Sequence, residues 1–357
     1  MRTTKAKATT TATTTAITGA SGWAAAGLLG LAGVLGAGAC SGQAPGEGDG
    51  GDGGAGGWTP PTYGDDFAAV WRDGRAELAG YDLTYPRYGQ PRTGTAVMVT
   101  VTEPFNGEKR VKADAAGDET YEVVKLNLAE DFQTGVYDYN LMTSVFVATE
   151  SANGLPAGSP TKVSFSAQEW CGQVFQQALF SKPRRGRSGV ELATYSYFED
   201  EADRPMDRMD HPAGGLAEEA LVLWARGLAG PTLGRGESVE LPVFRGLAVQ
   251  RLGHVGPAWV AATLSRGEET EAIDTPSSGA FDCEVYRARV EGRDYAFYVD
   301  AAADGQRRIV KMTRSDGYAL VLRGVERLPY WRLNGNADEA ELEKFGMPRG
   351  GAARGGG

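Results

Sequence analysis

Histidine is nearly missing from this chain: two in 357 residues, His211 in a Pro/Gly/Asp loop and His254 in a Gly-rich turn. No H-E-x-x-H, G-x-S-x-G or C-x-x-C occurs. A zinc site or a histidine-based triad would have to be built from these two imidazoles and distant partners, and both read as solvated loop residues. Cysteine is nearly as scarce, with only Cys40, Cys171 and Cys283, so no disulfide framework exists. In an oxidising compartment Cys171 and Cys283 can bridge; they can equally be two buried thiols. Long apolar runs are lacking too. The longest, Trp23 to Gly36, falls short of the roughly 20 residues that span a bilayer. Positive charge is in deficit, with 36 Lys and Arg against 46 Asp and Glu, a formal charge of −10. That balance argues against a nucleic-acid partner and against adhesion to anionic lipid.

What is present begins with the order of a secretory signal. Arg2, Lys5 and Lys7 form a basic start, a Thr-rich stretch and the apolar run follow, and Ala37, Gly38 and Ala39 precede Cys40. The run is a signal h-region rather than a membrane span. The stretch LGAGAC resembles a bacterial lipobox, with Ala37 where Leu is usual. The resemblance makes 1–39 a signal peptide and Cys40 the lipid attachment site and first mature residue. Acyl chains each add about 0.8 kcal/mol per buried CH₂, and firm anchoring takes more than one. Ser41 in the next position fits sorting to the periplasmic face of an outer membrane. Loss of the three leader cations leaves 33 basic and 46 acidic residues, hence −13, so membrane contact is expected through Cys40 alone. Residues 41–57, SGQAPGEGDGGDGGAGG, then read as a tether. A Gly-rich chain of that length spans on the order of 20–25 Å. Its GEGDGG matches G-x-G-x-x-G in letters only, because no strand precedes it and no helix follows. The end of the chain, 348–357, reads as a disordered tail.

Between these ends period-2 alternation dominates. RAELAGYDLTY and TAVMVTVTEPF form a hairpin around a turn at GQPRTG (89–94), and five further strands run to about residue 199. LAEEALVLWARGLAG (216–230) reads as one helix stopped by Pro231. ESVELPVFRGLAVQ (237–250) reads as a strand, and 280–328 as a four-stranded meander with tight turns at EGRD, AADG and SDG. ADEAELEKF closes the domain as a helix, with Asn336 and Glu339 as a capping box and Gly346 past its end. About a dozen strands and few helices exclude Rossmann and TIM-barrel plans. The expected fold is mostly β: a large curved antiparallel sheet or open barrel with a few short helices. One option is two related sheet halves, 58–200 and 236–347, joined by a helical connection at 201–235.

The words WRDGRAELAGYDLTYPRYGQPRTGTAVMVTVTEPF, VVKLN, TGVYDYNLMTSVF and QEWCG resemble an uncharacterised family of bacterial lipoproteins whose members carry the label "septum formation inhibitor Maf". Maf enzymes are nucleotide pyrophosphatases of α/β fold with an early S-x-S-P-R-R loop. Here the nearest match is SKPRRG at Ser181, mid-chain between strands, with Arg184 and Arg185 in the phosphate-loop position that the label would need. CEVYRARVEGRDYAFYVDAAADGQRRIVKM is similar to a family of exported β-proteins of unknown function, whose plan is like that of periplasmic lipid carriers. These resemblances imply fold and compartment; the families offer no established active site.

Two further motifs fail on context. SPTK (Ser159 to Lys162) lacks the helix and the companion motifs of penicillin-binding enzymes. NGNADEAELE has Glu339 where a calcium loop needs glycine. No metal or other cofactor is expected. The remaining signal is a group of polar aromatics and charges: Tyr81, Tyr85, Arg87, Tyr88 and Arg92 on one hairpin, Glu103, Lys125 and Asn127 on neighbouring strands, and Tyr137 and Tyr139 on the next. As a candidate binding face (Tyr81, Arg87, Tyr88, Arg92, Glu103, Lys125, Tyr137, Tyr139), it combines contact area with hydrogen bonds. As cross-strand pairs, the same residues stabilise a sheet by about 0.2–1 kcal/mol each. The expected function is non-catalytic: an exported lipoprotein whose curved sheet holds an apolar ligand or an envelope protein. The alternatives are an envelope hydrolase with paired first-half carboxylates and a Maf-type pyrophosphatase.

Overall fold

The computed structural model describes residues 58–183, 189–199, 201 and 206–349. The expected signal, Cys40, the tether, Arg184, Arg185 and residues 350–357 lie outside the described residues. The strands are β1 (Ala76–Arg87), β2 (Gln90–Asn106), β3 (Val111–Lys112), β4 (Thr120–Thr134), β5 (Tyr137–Ala148), β6 (Pro160–Glu169), β7 (Gly172–Phe180) and β8 (Val190–Ser196). They continue with β9 (Asp207–Met209), β10 (Leu216–Ala217), β11 (Ser238–Phe244), β12 (Trp259–Thr275), β13 (Gly279–Val290), β14 (Arg293–Asp300), β15 (Ile309–Arg314) and β16 (Ala319–Leu328). Short helices are α1 (Asp65–Trp71), α2 (Leu221–Ala225) and α3 (Leu247–Gly253).

All sixteen strands belong to one sheet, ordered β10-β11-β12-β13-β14-β15-β16-β1-β2-β4-β5-β6-β7-β8-β9, with β3 on the end of β2. Every pairing is antiparallel except β10–β11. The expected mostly β, curved antiparallel sheet is the observed one. Both stretches expected as related sheet halves lie in this one sheet, and β1, first in the chain, pairs along its length with β16, the last. The described residues form this one mostly antiparallel sheet rather than the α/β fold that a Maf pyrophosphatase requires.

Alternation decides which side chains face the hollow side. Ala79, Tyr81, Leu83 and Tyr85 of β1 point there, as do Val124, Leu126, Leu128 and Phe132 of β4, and Tyr286 and Ala288 of β13; all join one apolar core with both halves of the chain. The sheet is rolled, because rings from its two extremities meet. Phe180 of β7 lies edge-on to Phe244 of β11 at 5.5 Å, and His211 to Trp259 at 4.9 Å. Among the described residues, side chains rather than a backbone ladder span this gap. His211, expected in solvent, is half-buried in this ring cluster, and burial lowers its pKa.

The hollow of the roll is filled by the chain itself. The expected 216–230 helix is instead β10, a 3₁₀ turn (Glu218–Ala220) and α2. All five α2 residues are buried, as suits a helix apolar all round and enclosed on every side. Gly227, at φ 71°, ends it in a backbone conformation that favours glycine. At one end of the plug Arg226 and Glu77, each 1% exposed, pair at 2.8 Å. The guanidinium also donates to Thr100 Oγ1 and to the carbonyls of Gln306 and Arg307, and lies over the Trp71 ring. The expected strand 237–250 breaks at Gly246, and α3 follows because two plug carboxylates receive its first N–H groups: Gly246 N donates to Glu218 (2.8 Å) and Leu247 N to Glu219 (2.5 Å).

On the outer face, 3₁₀ turns at Asn336–Phe345 lie across the β1–β16 seam. Gly80 and Gly324 are register partners there, and a Cβ at Gly80 would sit 2.1 Å from the Phe345 carbonyl oxygen. The capping box starts one residue earlier than expected, with Gly335 N–H donating to Asp338 at 2.9 Å. The first hairpin turn is Tyr88–Gly89, not 89–94, because both residues take positive φ (55° and 70°). That is the geometry of a two-residue type I′ turn. Cys171 is an exposed free thiol in the β6–β7 turn, and Cys283 a buried free thiol on β13. The disulfide option is therefore not realised: one thiol faces solvent on a hairpin tip while the other is enclosed in the sheet. Burial, then the charge of Asp300, pushes the Cys283 thiol up to about 12.

Candidate functional site

Antiparallel register places the β1–β2, β4–β5 and β6–β7 turns at one end of the roll. This end is the rim. At the opposite end lie the β2–β4 and β5–β6 connections, about 36 Å away by the length of the twelve-residue β5. The chain enters the fold at that far end: Trp58 Nε1 donates to the Ala157 carbonyl (3.2 Å), and Thr232 N to the Thr59 carbonyl (2.7 Å).

Five of the eight candidate residues come together on the rim. Tyr88 and Tyr139 share a hydrogen bond of 2.7 Å, and Tyr137 donates to Tyr88 at 3.3 Å. Arg87 donates to Tyr139 (3.3 Å) and to the Leu252 carbonyl of α3 (3.2 Å), with its guanidinium 4.4 Å from the Tyr88 ring centre. Arg92 Nε donates to the Arg87 carbonyl at 3.4 Å. Burial, then the hydrogen bond to Glu169, raises the Tyr139 pKa. Burial opposes ionisation of Tyr88, but its hydrogen bonds to Tyr137 and Tyr139 and the Arg87 charge outweigh it and lower that phenol. Tyr88 holds a left-handed backbone (φ 55°) in a turn position that favours Asn or Gly. Its phenolic contacts offset a conformation that bulky residues avoid.

The other three candidates are elsewhere. Tyr81 faces the core, and its hydroxyl donates to the Ile309 carbonyl at 3.0 Å. Glu103 and Lys125 lie on the outer face as a cross-strand ion pair of 3.5 Å, with Lys112 at 3.7 Å from the same carboxylate. Parity separates them: Val101 and Glu103 alternate outward on β2 while Ala96 and Met98 face the core.

Four rim residues, Glu169, Arg251, Trp170 and Asp138, were not among the sequence candidates. Glu169, at the end of β6, pairs with buried Arg251 of α3 at 2.9 Å. Trp170 is 74% exposed, and its indole N–H donates to Asp138 at 2.8 Å. The QEWCG word marked this hairpin tip, but residue type alone carried no sign of the Arg251 partner 82 positions away.

Beneath the rim, on the hollow side, lies a cavity of about 90 Å³ between β1, β4, β5, β14 and β15, floored by the plug and the start of α3. Glu130, Glu219 and Tyr85 open onto it. Burial drives both glutamates from 4.5 to about 7. The Tyr85 ring stacks on Phe132 (4.4 Å), which stacks on Tyr139 (5.2 Å), so a column of rings joins cavity to rim. Glu130 was visible in principle, as an acid at an inward position of the Val124–Leu126–Leu128–Phe132 stripe. The buried first-half carboxylates are each held: Glu77 by Arg226, Glu103 by Lys125, Glu130 by the Tyr318 hydroxyl and Glu169 by Arg251. Among the described residues no group of three His, Cys, Asp or Glu side chains is placed to hold a metal, and no helix is long and apolar enough to cross a membrane.

No family model matches the chain, and no curated protein matches it. Among solved structures it is similar to a beta-barrel-like protein of a domain of unknown function, DUF1849, from Brucella abortus. The identity is 12%, with 71% of this chain and 97% of that chain covered, at a TM-score of 0.39.

Proposed function

We propose that this protein is an exported, non-catalytic docking module of the cell envelope, held by lipid on Cys40 at the periplasmic face of an outer membrane. Its rim receives a polypeptide partner. The observation that carries the reading is the filled hollow. With α2 and its flanks packed inside the sheet, the two cavities described, about 90 Å³ beneath the rim and about 150 Å³ beside Gln176, Gln250 and Arg251, are each too small for an acyl chain. The lipid-carrier form of the expectation therefore loses its space, and recognition falls to the surface. Tyr, Trp and Arg are the residue types that dominate protein interfaces, and the rim concentrates Tyr88, Tyr137, Trp170 and Arg87. The first described residues, Trp58 and Thr59, pack at the end of the roll opposite the rim, which leaves the rim clear of the chain's entry point.

A photo-crosslinking amino acid at position 170, compared with one at exposed Val111 of β3 near the far end, tests this in cells. A discrete adduct of defined mass is expected from 170 and not from 111, lost on Arg87→Ala/Tyr88→Ala. No rim adduct, or lipid co-extracting mole for mole with the protein, would overturn the reading.

A further inference from the structure

The interior cavity has acceptors without donors. Glu130 is 6% exposed; one carboxylate oxygen accepts from Tyr318 at 2.9 Å and the other opens on the cavity without a partner. Glu219 accepts from Leu247 N with one oxygen, and its Oε2 is buried with no hydrogen-bond partner. Tyr85 is 5% exposed, and its hydroxyl, too, meets no protein donor or acceptor among the described residues. Much of the wall is apolar, with Leu126, Leu128, Val222 and Phe297 among the lining residues.

The charge around it is uneven. The charged and titratable neighbours are Arg314 of β15, Tyr318 after it, Tyr85 of β1, Tyr295 of β14, and Glu218 with its partner Arg293. Arg314 is engaged: Asp316 accepts its Nε at 2.9 and 3.0 Å and pairs with its terminal nitrogen at 2.8 Å, while the Tyr318 ring lies 4.9 Å below it. Glu218 is engaged by Arg293, Tyr295 and the α3 backbone. Neither Glu130 nor Glu219 makes an ion pair among the described residues, although the Arg314 charge acts on Glu130. An anion entering here would face three carboxyl groups in a medium of low dielectric. A cation would relieve two of them.

We propose that this cavity binds a small primary ammonium ion, its N–H groups donating to the unpartnered oxygens of Glu130 and Glu219 and its short alkyl tail lying on the apolar wall. The size agrees, since about 90 Å³ admits a group of a few heavy atoms. Aromatic faces beside carboxylates are a recurrent setting for bound ammonium groups. Both glutamates must ionise for full binding, so affinity rises with pH through about 7, and binding at pH 7 releases protons. The site stands on the cavity alone and is independent of the docking reading.

The test is calorimetric titration of the purified protein with ethylammonium chloride in amine-free buffers at pH 6 and 8, with ethanol and potassium chloride as controls. Saturable binding is expected, at least tenfold tighter at pH 8, with proton release at pH 7 read from buffers of different ionisation enthalpy. Ethanol and potassium leave the protein unchanged. Glu130→Gln and Glu219→Gln each weaken binding tenfold or more, and Tyr85→Phe weakens it less. The amides keep the hydrogen bonds from Tyr318 and Leu247, and circular dichroism confirms folding. Should one amide variant not fold, the other and Tyr85→Phe carry the test. Acetyl-lysine methylamide, run in parallel, distinguishes sources: tighter binding than ethylammonium assigns the site to a side chain delivered from outside, weaker binding to a free amine. Absence of saturable ethylammonium binding at pH 8, or binding unchanged in all three variants, overturns the proposal.

Discussion

Glu130→Gln should make the protein less sensitive to alkali. Burial raises this carboxyl from 4.5 to about 7 in the folded chain, so the fold favours its neutral form. For a carboxyl raised in this way, the stabilisation is fully present below 4.5 and is lost as pH rises through 7. At 1.36 kcal/mol per pH unit, the wild-type chain loses about 3 kcal/mol through this one group by pH 8.5. Gln is uncharged at every pH, matches the acid in shape, and still accepts from Tyr318. Urea unfolding followed by tryptophan fluorescence, in amine-free buffers, gives the free energies at pH 5 and pH 8.5. The fall between the two should be smaller in the variant by about 2–3 kcal/mol, the residual slope coming from Glu219, which is raised in the same direction. Parallel profiles for the two proteins would refute the argument, because they would mean that the Glu130 carboxyl ionises in the fold as easily as in the unfolded chain.

Other perturbations test the packing. Arg226→Met leaves Glu77 buried without its cation and should cost about 3–5 kcal/mol in urea unfolding, with most of that recovered in Arg226→Met/Glu77→Leu. Trp224→Ala empties the centre of the plug and removes the hydrogen bond to the Pro231 carbonyl; a loss of about 3–5 kcal/mol is expected. Gly80→Ala drives a methyl group into the Phe345 carbonyl, so the C-terminal turns should lift from the seam, seen as faster proteolysis after Tyr330 and a loss of about 1–3 kcal/mol.

The strands were legible because alternation is local. Each hairpin carries its own pattern and its own turn residues, and the Glu291–Gly292 turn, at φ 49° and 79°, shows how a short polar word sets a register. The β1–β16 seam was not legible. Its pairs, such as Ala76 with Leu328, are 252 residues apart and carry no mutual mark. The plug was misread for a related reason. LAEEALVLWARGLAG has helical spacing throughout, yet Leu216–Ala217 pair with β11 and Glu218 and Glu219 turn to α3, so tertiary partners overrule propensity over half its length. On the site, parity placed Tyr137 and Tyr139 together, but parity within one strand says nothing about phase between strands. Glu103 and Lys125 thus joined the candidate face on paper while facing outward in the fold. Arg251 escaped notice because α3 was read as part of a strand.

The central claim is that acyl chains on Cys40 tether this acidic β-roll, leaving the aromatic rim to face a partner. Intact mass of the protein extracted from the envelope tests it most directly. The account predicts a chain that begins at Cys40 and carries the added mass of a diacylglyceryl thioether, with Cys40→Ser releasing the protein from the envelope fraction. An unmodified chain, or a Cys40→Ser protein that still sediments with membranes at the wild-type mass, would contradict it.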